Sequence, residues 1–111
     1  MAQVLRQLGQ NRPAGTSPVS IYSPAASTQT IIRTILICNT TGSAADFSIY
    51  HDDDGTTYDE STALYFAEQL AANTTREILV HILANDENGN IAVQTDTGNA
   101  LTFTLYGYEE T

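Results

Sequence analysis

Lysine and tryptophan are absent, cysteine occurs once, and only three prolines and three phenylalanines are present in 111 residues. Each shortage excludes something. Without lysine, the positive charge rests on four arginines against thirteen acids, a net charge of −9. Such a balance argues against binding DNA or RNA, whose phosphates are met by basic patches. It argues equally against an anionic membrane surface. One cysteine permits no intrachain disulfide. Cys38 lies inside the apolar run IIRTILIC, where it is expected to act as a small buried hydrophobe rather than a thiol nucleophile. No run approaches the ~20 apolar residues of a membrane helix. The N-terminus lacks the apolar core of a secretory signal, so synthesis in a reducing, cytoplasm-like compartment is expected. Serine-nucleophile motifs, phosphate-cradling glycine loops and paired carboxylates in a cleft-forming context are missing too, so no enzymatic activity and no cofactor are expected.

What is present reads as strands. Val, Ile, Thr and Tyr are abundant, the residues that suit a pleated, half-buried surface. VSIYS (19–23), TIIRTILICN (30–39), ADFSIYH (45–51), ALYFAEQ (63–69), REILVHIL (76–83), IAVQTDT (91–97) and LTFTLYGYEE (101–110) are separated by turn chemistry, including the Asn-Gly-rich ANDENGN. TIIRTILICN is apolar at both parities, which predicts a central strand with something covering each side. About seven or eight strands with regular turns predict an all-β fold, an antiparallel β-sandwich of immunoglobulin-like or jelly-roll topology. The Cys–Trp–Cys set of antibody domains is missing.

Residues 1–18 differ from the rest. They are polar, hold Pro13 and Pro18 with Gly9 and Gly15, and carry Arg6 and Arg12 beside a small patch of Val4, Leu5 and Leu8. The expectation is an extended N-terminal arm preceding a sandwich domain over 19–111. An ordered arm of this kind needs a surface to lie against, because ordering it costs entropy. Val4, Leu5, Arg6, Leu8 and Arg12 are therefore candidate partner-binding residues.

HDDDGTTYDEST (51–62) is the best candidate for ion chemistry. Setting Gly55 at position six of an EF-hand loop puts Asp54 at five and Asp52 at three, but Tyr50 at one and Ser61 at twelve. Both anchoring ligands are wrong, so an EF-hand is excluded. Asp52, Asp54 and Asp59 or Glu60 remain as ligands of an irregular calcium site; the alternative is a solvated turn, where Asp and Gly accept unusual backbone angles. His51 and His81 show no metal-ligand spacing. Among six tyrosines, Tyr58 in the acidic loop is the candidate for an exposed contact.

LGQNRPAG (8–15), SIYSPAAS (20–27), ICNTTG (37–42), LAANTTREI (70–78) and LTFTLYGYEE (101–110) occur in an order that resembles a group of small tailed-bacteriophage virion proteins. The likeness spans nearly the whole chain and departs at the more acidic HDDDGTTYDE. It implies a structural protein of the phage particle, made in the host cytoplasm. The expected role is a capsid decoration or cement protein, a trimer whose arm clamps the major capsid protein. The alternatives are a tail, neck or fibre-attachment protein, or a glycan-binding host-adhesion module working through Tyr58.

Overall fold

The computed structural model describes residues 3–52, 57–85 and 89–110. Eight strands form: β1 (Gln3–Asn11), β2 (Val19–Tyr22), β3 (Gln29–Asn39), β4 (Ala45–Asp52), β5 (Ala63–Leu70), β6 (Thr75–Asn85), β7 (Asn90–Thr95) and β8 (Leu101–Glu110). Sheet A has the order β1-β8-β3-β6 and sheet B the order β2-β7-β4-β5. All pairs are antiparallel. First pairs with last, second with seventh, third with sixth and fourth with fifth, as in one long hairpin rolled on itself. Of the two topologies the sequence left open, this is the eight-stranded jelly roll.

The inner faces meet in a core of Ile32, Ile35, Ile37, Phe47, Ile49, Ile91, Val93, Leu101, Phe103 and Leu105, all buried. Phe47 and Phe103 meet edge to face at 6.5 Å between ring centroids. At the end of β3 the buried Asn39 amide donates to the carbonyls of Ser43 (2.9 Å) and Leu70 (3.1 Å), and its oxygen accepts from Thr41 N–H (3.0 Å). One side chain thus satisfies backbone groups that the core would otherwise strand without partners.

A bulge sets the phase of β3. The register shifts between Ile32 and Thr34 against both neighbours. Before it Thr30 and Ile32 point inward; after it Ile35, Ile37 and Asn39 do. Simple alternation puts Ile32 and Ile35 on opposite faces; the shift, in which β3 has one residue more than β8 and β6 one more than β3, brings both into the core. The same shift swings the β3 backbone against β8. A Cβ added at Gly107 would lie 2.1 Å from the Ile31 carbonyl oxygen. β5 uses a similar device. Ala67 takes φ 51°, its N–H donates to Ser48 Oγ at 2.9 Å, and Tyr65 and Leu70 both turn toward the core despite their odd spacing.

The stretch expected to be a separate arm is, over Gln3–Asn11, the edge strand β1 on its own chain's β8. Of its glycines and prolines only Gly9 falls within the strand; Pro13, Gly15 and Pro18 lie beyond its end. Gly9 lies at a register shift where β1 crosses close to β2; a Cβ there would meet the Ile21 carbonyl oxygen at 2.4 Å. Leu8 packs against the core. Arg6 breaks the apolar alternation, but Glu109 of β8 meets it at 3.1 Å. The other Glu109 oxygen accepts from Tyr22 Oη at 2.6 Å, and Tyr22 Oη lies 2.7 Å from Thr30 Oγ1. Four strands are joined there. Burial, then the bond to Glu109, pushes the Tyr22 phenol up to about 12.

Gly107→Ala is expected to lower stability by about 1–3 kcal/mol through overpacking, measured by urea denaturation; an unchanged midpoint would show that the β3–β8 approach relaxes freely. The raised Tyr22 pKa favours the neutral phenol in the folded state, so its contribution is complete below pH 10 and fades between pH 10 and about 12. Stability of the parent chain should therefore fall relative to Tyr22→Phe across that window. Parallel profiles would remove the assigned role.

Candidate partner-binding surface

Most residues that the sequence singled out for a partner are engaged within the chain. Arg6 is paired with Glu109 and Leu8 is in the core margin. Arg12 donates to the Asn99 carbonyl oxygen, and Asn99 N–H donates to the Pro13 carbonyl oxygen at 2.8 Å. Gln94 Nε2 holds the Thr16 carbonyl oxygen at 2.9 Å. The segment after β1 is thereby tied to the β7–β8 loop. Val4 and Leu5 remain exposed on the sheet edge.

Tyr58 is half-buried, its ring 6.4 Å from that of Tyr50. Tyr50 is buried on the outer side of sheet B and donates to Gln94 Oε1 at 2.5 Å. Of the calcium candidates, Asp54 lies outside the described residues. Asp52 accepts from Thr57 N–H at 2.5 Å. Asp59 accepts from the Ser61 hydroxyl (2.5 Å) and N–H (2.8 Å), which hold its carboxyl below the usual range. These are bonds of a turn. Among the described residues no three His, Cys, Asp or Glu side chains gather to hold an ion. His81 is exposed on β6.

Among the described residues, concavities open on the outer side of each sheet. An open cleft of about 380 Å³ on the outer side of sheet B is lined by Thr16, Asp46, Ser48, Phe66, Gln94 and Asp96. Its polar groups are largely spoken for: Ser48 by Ala67, Gln94 by Tyr50 and Thr16, and Asp96 Oδ1 by Asp46 N–H at 2.9 Å. A smaller, more enclosed groove of about 190 Å³ on the outer side of sheet A is lined by Gln3, Gln29, Ile31, Leu83, Tyr108 and Glu110. Neither lining contains a histidine, a cysteine or an arginine.

The surface that sequence reading did not resolve is the outer face of sheet A. The apolar doubling of TIIRTILICN carried its signal. β3 is central in the sheet, as expected, but the side away from the core is only half covered: Ile31, Leu36 and Cys38 are half-buried there, and Leu79 and Leu83 of β6 are exposed.

Neither a protein-family model nor a curated protein matches the sequence. Solved structures do match in fold. A protein of the T13 IBDV viral particle aligns over 96% of this chain at TM-score 0.55 and 11% identity. The chain spans only 30% of that protein's length. The Drosophila NLP-core, whose structure concerns pentamer formation and histone binding, aligns over 98% of both chains at TM-score 0.49 and 13% identity. The Tobacco streak virus coat protein aligns over 97% of this chain and 83% of its own at TM-score 0.48 and 13% identity. At 11% identity the likeness to the T13 IBDV particle protein is one of fold alone.

Proposed function

We propose that this chain is a structural protein of a virus particle, and specifically a decoration or cement protein of a tailed-phage capsid. The carrying observation is the jelly roll itself, shared over 96% of the chain with part of a viral particle protein at TM-score 0.55. The order of the sequence motifs that resemble phage virion proteins supports the same reading. The acidic surface fits a protein that avoids the packaged nucleic acid and stays soluble at high local concentration.

In this reading the major capsid protein, or another virion protein, is the partner. The mechanism is mass action: a protein that binds only the assembled shell stabilises the shell. Because β1 is part of the chain's own sheet, contact with the shell falls to Val4 and Leu5 on its exposed edge rather than to a free arm. Self-association belongs to the reading as well; no observation among the described residues favours three copies over two. A glycan-binding role through Tyr58 has less support, since that ring lies against Tyr50.

Quantitative mass spectrometry of purified particles tests the proposal. A copy number of the same order as the major capsid protein is expected. A ratio tens of times lower would move the chain to the tail or neck, and absence from particles would end the virion reading.

A further inference from the structure

Sheet A buries one face in the core and leaves the other with an apolar surface of its own. Facing residues of the ladders build rows across the strands. Leu5, Tyr108, Ile31 and Leu83 form one row through all four strands. Gln7, Tyr106, Thr34 and Leu79 form the next. Leu36 and Cys38 continue the apolar line along β3. Leu79 is 75% exposed, Leu5 71%, Leu83 54% and Tyr106 39%. Singly, such residues are ordinary; joined in adjacent rows they mark an interaction surface. Leu79 and Leu83 also sit on β6, an eleven-residue edge strand, the kind of edge that proteins usually shield.

Charge indicates what covers this face. Three arginines have oxygen partners within the chain: Arg6 with Glu109, Arg76 with Glu68, and Arg12 with Asn99 and Thr40. Arg33 has no ion pair among the described residues. It stands on the bulge of β3, with its guanidinium 5.9 Å from the Tyr108 ring centroid, in the middle of the apolar rows. Among the described residues, the acids of this face are Glu77, opposite Leu36, and Glu110, opposite Gln29. A cation at the centre with acids toward either end is a self-complementary pattern. The cleft on sheet B has Asp46 and Asp96 and no arginine, so two copies of a chain with net charge −9 would repel there.

We propose that the outer face of sheet A packs against a second copy of this chain about a two-fold axis lying in the interface plane. Arg33 of each copy faces Glu77 of the other, and Leu79, opposite Thr34 and between those two positions, lies at the centre. An isologous contact needs one self-complementary patch and closes at two copies. The inference is independent of the virion reading and stands or falls without it.

Light scattering and sedimentation of the full chain over a concentration series provide the test, with circular dichroism confirming that each variant is folded. The parent chain is expected to show a monomer–dimer equilibrium. Leu79→Asp and Arg33→Glu should each weaken it by roughly tenfold or more, about 1.4 kcal/mol. The double variant Arg33→Glu/Glu77→Arg should restore it to within a few-fold of the parent, while Leu64→Asp, on an exposed site of sheet B, should leave it unchanged. A chain monomeric at every concentration, a dimer insensitive to Leu79→Asp, failure of the charge swap to restore association, or a trimer as the sole assembled species would each overturn the proposal.

Discussion

The change of phase in β3 between Ile32 and Thr34 is the constraint on which the rest of the sandwich depends. A strand's side chains alternate, so a one-residue slip turns every later side chain to the opposite face. Here that slip is built in between Ile32 and Thr34. It places Ile32 and Ile35 in one core and leaves Arg33 and Thr34 together on the outside. β8 answers with Gly107, where β3 comes too near for any side chain. β3 and β8 are the two central strands of sheet A, so the phase chosen here sets which residues of that sheet meet Phe47, Ile49 and Val93 of the other.

Rolling a long hairpin brings the first strand to the last. β1 therefore closes the sheet at the side opposite β6, although it contributes little more than Leu8 to the core. Its attachment is largely polar and local, through the ladder to β8 and the Arg6–Glu109–Tyr22–Thr30 cluster. Exposed ion pairs contribute little alone. The gain here comes from Glu109 serving β1 and β2 at once, with the buried Tyr22 hydroxyl between β2 and β3. Asn39 performs the equivalent task near the opposite end of β3, joining the β3–β4 turn to the end of β5.

Seven strands were legible because their patterns are local: alternation in IAVQTDT, β-branched runs in TIIRTILICN, aromatics in ALYFAEQ. β1 was not, because Arg6 occupies an inward position and Gly9 interrupts the run. Its strand character depends on Glu109 and on the close pass over Ile21, both distant in sequence. The choice between immunoglobulin and jelly-roll topology was hidden for the same reason, since pairing partners lie far apart along the chain. The acidic loop drew attention through composition, yet Asp52 and Asp59 are occupied by nearby backbone and hydroxyl groups. The apolar doubling of β3 predicted cover on both sides; the chain covers the outer side only in part, with Ile31, Leu36 and Cys38 half-buried and Leu79, Leu83 and Tyr106 exposed beside them.

Sheet A is completed on its inner face by β1 of the same chain, and its outer face remains available. The first is the premise for the rest, because a detached N-terminal arm would leave β8 as an edge and change which surfaces are free. Amide hydrogen exchange of the N-terminal peptide reads this directly. Protection of the inter-strand amides between Gln3 and Asn11, opening together with those of β8, is expected if β1 belongs to the sheet. Exchange of those amides at the rate of an unstructured chain would contradict it.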